Sequence, residues 1–362
     1  MKKLKKLTAL LTAIGMVAAM SACGSDAASS TTTASTGAAD SAPAATEAAQ
    51  AAEAPAEAGS AAETAAAGDE TYLIGICQLV QHEALDAATQ GFKDALTEKL
   101  GDKVKFDEQN ASGDSANCST IVNGFLSENV DLILANATAP LQAAAAATSD
   151  IPVLGTSVTD YATALEISDW TGTVGTNVSG TSDLAPLDQQ AAMIKELFPD
   201  AKKVGLLYCS AEPNSVYQCD TIEGYLKDEG YEIERYAFTD TNDVTSVTQT
   251  ACDNSDVIYI PTDNTAASNT EAIANVVLPA GVPAVVGEEG ICKGCGVATL
   301  SISYYDLGYA TGEMAYKILV EGQDVSTTAV ETAKTVTKKY NAANCEALNI
   351  TIPDDYEAIS EE

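Results

Sequence analysis

The sequence predicts an α/β fold in which two similar lobes, each built on a parallel sheet, are joined by a three-segment hinge. The first observation is an alternation of apolar strand-like runs with helical segments, which begins at Tyr72. Strands and helices in this order form right-handed βαβ units, and these assemble into a parallel sheet. The second observation is a repeat of the unit: VDLILANATAP from Val130 corresponds to SDVIYIPTDNT from Ser255. Two copies of one unit predict two similar lobes.

The N-terminal region is predicted to lie outside this fold. Four lysines among the first six residues precede the apolar run Leu7–Met20, which is too short for a permanent membrane span. The following MSAC resembles a bacterial lipobox, so we expect residues 1–23 to be a lipoprotein signal peptide with Cys23 as the lipid-bearing residue. An ordinary secretory signal cleaved near Ala22 is the alternative. Residues 24–70, rich in Ala, Ser and Thr, are predicted to form a disordered tether. The chain is therefore expected to be extracytoplasmic and membrane-anchored.

The first lobe is predicted over residues 71–181 and 301–325. Its strands are expected where apolar runs end in polar loops, and its helices where apolar residues recur at helical spacing. The predicted strands are Leu73–Leu79, Val104–Glu108, Leu132–Ala135 and Val153–Gly155, and the predicted helices are Ala84–Leu100, Ser115–Glu128 and Pro140–Thr148.

The second lobe is predicted over residues 182–300 and 326–353, followed by an acidic tail at 354–362. Its predicted strands are Val204–Tyr208, Glu232–Tyr236, Val257–Ile260 and Ala284–Val286, and its predicted helices are Val216–Glu229, Val244–Cys252 and Thr265–Val277. The remaining segments are assigned to the crossovers. They are a polar link at Gly175–Ser182, an apolar run at Val297–Tyr304, a helix at Asp306–Val320 that returns to the first lobe, a strand-like segment at Thr328–Tyr340 and a short helix at Asn341–Asn349.

The charge of the chain excludes several partners and ligands. With 52 acidic residues against 18 basic ones, the net charge is −34, so a nucleic-acid backbone would be repelled. Arg235 is the only arginine, and sites for doubly charged anions normally use guanidinium groups. We therefore expect neither nucleic acid nor a doubly charged anion as a partner.

Eight cysteines remain after Cys23. Outside the cytoplasm an even number permits disulfides, and the nearest pairs in sequence are Cys209 with Cys219 and Cys292 with Cys295. Cys77 and Cys252 lie in apolar contexts, where free buried thiols are an equal alternative. A single CxxC with one distant histidine is a weak zinc pattern, so no metal and no cofactor is expected.

The candidate binding site lies in the loops beyond the carboxyl ends of the strands, where parallel sheets bind their ligands. These loops carry hydroxyl, amide and carboxylate groups but no cationic side chain, which suits a small zwitterion such as an amino acid. Its carboxylate would be held by hydroxyls and backbone N–H groups, and its ammonium by an acidic side chain. The candidate ligand-binding residues are Gln81, His82, Thr138, Thr156, Ser157, Ser210, Glu212, Asn214, Ser215, Thr262, Asp263 and Glu289.

Asp263 is the first candidate for the contact with the ligand's ammonium group, and Glu212 or Glu289 is the second. The alternative for Asp263 is a turn residue or helix cap within PTDNT, and one carboxylate can do both. We expect no catalytic residue. His82 has no nucleophile–acid arrangement beside it in sequence, and nucleophile-elbow, phosphate-loop and dinucleotide motifs are missing. Glu288 and Glu289 are adjacent on a strand end and should point in opposite directions, which argues against a glycosidase pair.

Several of these segments together resemble a known family. From Tyr72 to Pro353 the chain is similar to the periplasmic-binding-protein-like substrate-binding components of ABC transporters, in particular the tryptophan/tyrosine branch. The resemblance is carried by GICQLVQHEALDAATQGF, QNASGDSANCSTIVNGFLSENVDLILANATAPLQAA, DIPVLGTSVTD, LLYCSAEPNSVYQ, VIYIPTDNTAAS, VGEEG and YYDLGYATGEMAYKIL. The family tends to read Glu-His-Pro where this chain has Gln81-His82-Glu83.

The resemblance implies the type I periplasmic binding protein fold, with two Rossmann-like lobes joined by three hinge strands that close on a ligand. It implies binding roles for His82, Thr138, Ser210, Glu212, Asn214, Ser215, Thr262, Asp263 and Glu289. We therefore expect a monomeric solute-binding lipoprotein that delivers an aromatic or hydrophobic amino acid to an ABC permease and its ATPase. The alternatives are a sugar, purine or nucleoside ligand, or a ligand sensor with the same fold.

Overall fold

The computed structural model describes residues 71–360, which form two sheets with helices on both faces of each. The predictions for the signal peptide, Cys23 and the tether lie outside these residues. No helix within 71–360 is long and apolar enough to cross a membrane.

The first lobe contains a six-stranded, fully parallel sheet. With elements numbered along the chain, its strands are β1 (Tyr72–Gln78), β2 (Val104–Asn110), β3 (Leu132–Asn136), β4 (Val153–Val158), β5 (Val178–Ser182) and β11 (Glu331–Thr332). They lie in the order β11-β5-β4-β3-β1-β2. The helices of this lobe are α1 (Glu83–Leu100), α2 (Ser115–Glu128), α3 (Thr138–Ala147), α4 (Tyr161–Ala164) and α11 (Tyr304–Leu319), with 3₁₀ turns at Gly101–Lys103 and Val325–Thr327.

The second lobe contains a seven-stranded sheet in which five strands are parallel and the last two, at one edge, run in the opposite direction. Its strands are β6 (Lys203–Cys209), β7 (Glu232–Phe238), β8 (Val257–Ile260), β9 (Ala284–Val286), β10 (Ala298–Ser301), β12 (Thr337–Tyr340) and β13 (Glu357–Ala358). They lie in the order β13-β12-β10-β9-β8-β6-β7, and β12 runs antiparallel to its neighbour β10. The helices of this lobe are α5 (Leu187–Leu197), α6 (Pro213–Asp228), α7 (Val244–Asn254), α8 (Asn264–Ala267), α9 (Thr270–Ala280), α10 (Glu289–Gly294) and α12 (Ala342–Ala347).

The predicted fold class is confirmed. The order β2-β1-β3-β4-β5 in the first sheet corresponds to β7-β6-β8-β9-β10 in the second, as a repeated unit requires. The chain crosses between the sheets three times, after β5, after β10 and between β11 and β12. In each lobe the strand order reverses beside the first strand of the unit, and ligands of open α/β sheets bind at that point.

Strand β6 shows why such continuous apolar runs become central strands. Its side chains alternate between two cores, with Leu206 and Tyr208 on one face of the sheet and Leu207 and Cys209 on the other. A strand covered on both faces needs apolar residues at every position.

Three predicted elements differ from the structure. The predicted helix Thr265–Val277 is two helices, because Asn269 leaves helical geometry (φ −128°, ψ 25°) and its side-chain amide donates to the Thr265 carbonyl at 2.7 Å. The predicted strand Thr328–Tyr340 is split into β11 and β12, which belong to different sheets. The polar link Gly175–Ser182 contains β5, a buried strand, because its hydroxyl groups find partners inside the lobe, such as Ser179 Oγ on the Thr328 carbonyl at 2.9 Å.

The described cysteines form no disulfide: all eight are buried free thiols. Cys209 and Cys219 cannot approach each other because they belong to cores on opposite faces of the second sheet. Cys292 and Cys295 share one core and are also unpaired. Burial raises the pKa of Cys209 to about 11, so this thiol stays protonated at neutral pH.

Candidate functional site

A narrow cavity lies between the two lobes, at the carboxyl ends of the parallel strands. The first lobe and the crossovers contribute the start of α1, the loop after β4, the residue after β5 and the start of α11. The second lobe contributes the start of α6 and the loops after β8 and β9. The lining residues are His82, Leu85, Ser157, Thr159, Asp183, Asn214, Thr262, Asp263, Asn264, Ala267, Glu288 and Tyr304.

The two lobes are in direct contact around this cavity. His82 Nε2 lies 3.2 Å from Asn264 Oδ1, and Thr159 Oγ1 accepts a hydrogen bond from Gln218 Nε2 at 3.3 Å. At the rim, Lys293 Nζ of the second lobe lies 3.4 Å from a carboxylate oxygen of Glu83 in the first. These contacts describe a closed arrangement of the lobes.

Three buried polar atoms of the cavity lining have no hydrogen-bond partner: His82 Nδ1, Ser157 Oγ and Asp183 Oδ1. A buried polar atom without a partner costs about 1–3 kcal/mol. Convergence of three such atoms on one cavity makes it the candidate binding site, because each of them can still form a hydrogen bond there.

Ser157 is placed by an irregularity in the sheet. The pairing of β4 with β5 shifts register between Gly155 and Val158, and Ser157 has a left-handed backbone (φ 54°). A non-glycine residue in this region is strained, and such strain is concentrated at functional sites. The strained turn brings the Ser157 hydroxyl to the cavity.

Asp183 follows β5 directly and is only 4% exposed. The Tyr304 hydroxyl donates to its Oδ2 at 2.8 Å. Burial raises the pKa of this carboxyl group, because the ionised form is poorly solvated and the side-chain interactions with Tyr304 and Thr159 only partly compensate.

Asp263 has both carboxylate oxygens engaged by the backbone. Oδ1 accepts from the Ala266 N–H at 2.8 Å as the N-cap of α8, and Oδ2 accepts from the Cys209 N–H at 2.6 Å. Burial, together with the nearby charge of Glu212, raises its pKa to about 8. Asp263 is therefore a helix cap, which was the alternative interpretation of this residue from the sequence.

Glu212 organises the second-lobe side of the site without lining it. Its Oε2 accepts from the backbone and side-chain amides of Asn264 at 3.0 and 2.7 Å. Its Oε1 accepts from the backbone N–H and hydroxyl of Thr265, both at 2.8 Å. These bonds determine the orientation of Asn264, the residue that meets His82.

Glu288 and Glu289 point in different directions. Glu288 lines the cavity and caps α10, accepting from the N–H groups of Gly290 and Ile291, both at 2.6 Å. Glu289 turns away from it, with Oε2 at 2.7 Å from Lys339 Nζ and 2.8 Å from Ser301 Oγ.

The structure brings together five of the twelve residues predicted from sequence: His82, Ser157, Asn214, Thr262 and Asp263 line the cavity. The other seven lie elsewhere. Gln81 and Ser210 are exposed, Thr156 is buried in the sheet against Thr181, Ser215 is buried beside Asn214, Thr138 begins α3, and Glu212 and Glu289 are placed as described above.

The lining residues that the sequence interpretation did not select are Leu85, Thr159, Asp183, Asn264, Ala267, Glu288 and Tyr304. Asp183 could have been identified from the sequence, because it is an acidic residue directly after the polar link GTNVSGTS. Tyr304 could not have been identified, because nothing in the sequence distinguishes it from Tyr305.

Acidification is expected to stabilise the ligand-free protein. Burial raises the pKa of Glu288 to about 7 and that of Asp263 to about 8. In the unfolded chain both groups titrate near pH 4, so between roughly pH 4 and pH 8 the folded state binds more protons. The free energy of unfolding therefore falls as the pH rises, and the thermal midpoint should be higher near pH 5 than near pH 8.

A charge-matched pair of variants separates this effect from the general acidity of the chain. Glu288→Gln should weaken the pH dependence of the thermal midpoint. Glu271→Gln, which removes one charge at an exposed position, should leave it unchanged. A midpoint that does not change between about pH 5 and pH 8 in the unsubstituted protein would contradict the raised pKa values.

Known proteins resemble this chain along most of its length. Residues 73–362 match a family model described as ABC transporter substrate binding protein. A tyrosine-binding protein from Clostridioides difficile (strain R20291) is 38% identical over 262 residues, which cover 72% of this chain and 75% of that protein.

Two solved structures provide a comparison in three dimensions. The ABC domain from Streptococcus pneumonia in complex with L-Trp is 32% identical, with a TM-score of 0.77, covering 80% of this chain and all of that one. The ligand-free, open structure of a substrate binding protein with adhesive properties from Clostridium difficile is 35% identical, with a TM-score of 0.62, covering 81% of this chain and all of that one.

Proposed function

Because this chain belongs to the family of ABC transporter substrate-binding proteins, we propose that it captures an aromatic or other hydrophobic amino acid between its lobes for an ABC importer. The observation that carries the proposal is the convergence of His82 Nδ1, Ser157 Oγ and Asp183 Oδ1, without partners, on the interlobe cavity. An amino acid carries both an acceptor and donors for such atoms, while Leu85, Ala267 and Tyr304 provide apolar surface.

The ligand would act by holding the lobes together. It contacts residues of both lobes at once, so it binds the closed form more tightly and shifts the population toward it. The fold of this chain is closer to that of the L-Trp complex than to the ligand-free open structure, in line with the interlobe contacts of His82 and Thr159. The closed form is the state that the permease would recognise.

Anchoring and delivery are also part of the proposal. Cys23 would carry the lipid, and residues 24–70 would tether the binding domain to the outer face of the cell membrane. Such a tether would keep the domain close to the permease and ATPase while leaving the lobes free to open and close. Replacing Cys23 by Ala should release the protein from the membrane fraction.

A thermal-shift screen of the purified protein against amino acids, nucleosides and sugars tests the ligand class. A ligand at 100 times its Kd stabilises the folded state by about 2.7 kcal/mol, so L-tyrosine or L-tryptophan should raise the midpoint by several degrees. Stabilisation by sugars or nucleosides alone would contradict the amino-acid proposal. Uptake of labelled tyrosine by cells that lack the protein tests delivery, since unchanged uptake despite tight binding would favour a ligand sensor.

A further inference from the structure

Three buried carboxylates line the cavity, and they differ in what they already bind. Asp263 and Glu288 each have both oxygens engaged by backbone N–H groups. Asp183 receives the Tyr304 hydroxyl on Oδ2, while its Oδ1 has no partner. Among the cavity-lining carboxylates, Asp183 therefore has the acceptor that is available to a ligand.

The charge of Asp183 is also unbalanced. Neither a lysine nor an arginine occurs among the residues that line the cavity. A buried carboxylate without a cation remains protonated or takes its counter-charge from elsewhere, and burial raises the pKa of this group. A ligand with a protonated amine would supply both the missing charge and hydrogen-bond donors.

The state of His82 points to the same ligand group. The side-chain amide of Asn264 donates to Glu212 Oε2, which leaves Asn264 Oδ1 as the acceptor that faces His82 Nε2. Nε2 must therefore carry the proton. Burial lowers the pKa of His82, so the ring is neutral and its unpartnered Nδ1 is an acceptor. Two of the three unpartnered atoms in the cavity thus require a donor.

We propose that Asp183 is the residue that binds the protonated amine of the ligand, with His82 Nδ1 accepting a second N–H of the same group. Tyr304 is a positioning residue, because its hydroxyl holds Oδ2 and so orients Oδ1. Ser157 Oγ then remains for the ligand carboxylate. The inference rests on the proposed function, since it assumes that the ligand occupies this cavity. The sequence predicted Asp263 for the ammonium contact, and this inference assigns that contact to Asp183 instead.

The test uses calorimetric titration with two ligands that differ only in the amine: L-tyrosine and 3-(4-hydroxyphenyl)propionate. If tryptophan is the ligand, L-tryptophan and indole-3-propionate replace them. Asp183→Asn keeps the shape of the side chain and removes its charge. We expect this variant to bind tyrosine about 100-fold more weakly, because charged partners in buried pairs contribute several kcal/mol. Its affinity for the deaminated acid should be unchanged or higher.

Two further variants keep the test decisive. Tyr304→Phe preserves packing and removes the hydroxyl, so it should weaken tyrosine binding about 10-fold, as expected for one hydrogen bond to a charged group, and leave the deaminated acid unaffected. Asp160→Asn removes a carboxylate that caps α4 and is not among the residues that line the cavity, so this variant should bind both ligands like the unsubstituted protein.

Several outcomes would overturn the inference. One is equal weakening of both ligands by Asp183→Asn, which would mean that Asp183 acts only on structure. Another is tyrosine binding that survives Asp183→Asn but is lost in Asp263→Asn, which would return the ammonium contact to Asp263. If the unsubstituted protein binds no amino acid, the proposed function fails together with the inference, whereas in the first two cases the proposed function stands.

Discussion

Gly308→Val is expected to destabilise the protein by about 3 kcal/mol and to abolish ligand binding, because overpacking a contact against backbone cannot be relieved by rotating a side chain. A Cβ atom at position 308 would lie 1.9 Å from the carbonyl oxygen of Ala88, on α1. The contact is reciprocal: a Cβ at Gly91 would lie 2.1 Å from the carbonyl oxygen of Tyr305. The two helices would have to separate, and α11 begins at Tyr304, which holds Asp183.

Urea unfolding followed by circular dichroism measures the loss of stability, and Gly124→Ala is the matched control. Gly124 lies inside α2, and apart from its chain neighbours and the backbone of its own helix no atom would come within 4 Å of an alanine methyl group at this position. Alanine should therefore stabilise the protein there by roughly 0.5–1 kcal/mol. If Gly308→Val unfolds at the same urea concentration as the unsubstituted protein, the close approach of α1 and α11 is not required for the fold.

Glu212→Ala is expected to lower the free energy of unfolding by about 3 kcal/mol and the affinity for the ligand at least 100-fold. The buried carboxylate accepts hydrogen bonds from the backbone and side chains of Asn264 and Thr265, and removing it leaves those donors without partners. Asn264 would then lose its orientation toward His82 in the opposing lobe. Because His82 lines the cavity, ligand affinity should fall as well.

Denaturant unfolding and calorimetry on the same preparation separate the two effects of Glu212→Ala. Glu229→Ala, at an exposed position just after α6, is the control and should change stability by less than about 0.5 kcal/mol. Ligand affinity in Glu212→Ala that equals that of the unsubstituted protein would show that the Asn264–His82 contact is unimportant for binding.

Most of the fold could be predicted because its signals are local. The apolar run Val257–Ile260 and the helix Ser115–Glu128 have the predicted bounds in the structure, since burial on both faces and a capping Asp114 leave clear patterns. The errors arose where tertiary contacts override the pattern. The segment 328–340 reads as one strand, yet its two ends pair with different sheets.

The candidate site could be predicted only in part, because proximity across the cleft is not a local property. Asn214, Thr262 and Asp263 follow strands of the repeated unit, so their placement at the cavity follows from the fold class. The direction of each side chain does not follow from the fold class. The adjacent residues Glu288 and Glu289 show this, because Glu288 faces the cavity while Glu289 faces Lys339.

The amino-acid sequence by itself determined the repeated βαβ unit, the two-lobed architecture and the resemblance to substrate-binding proteins of ABC transporters. It could do so because periodicity and motifs are local properties of the sequence. Only the tertiary structure decided which polar atoms lack partners. Asp183 and Asp263 are both acidic residues at strand ends, but one carboxylate is completed by backbone N–H groups and the other has an unpartnered oxygen. That difference depends on hydrogen bonds between residues distant in sequence, which form only when the chain has folded.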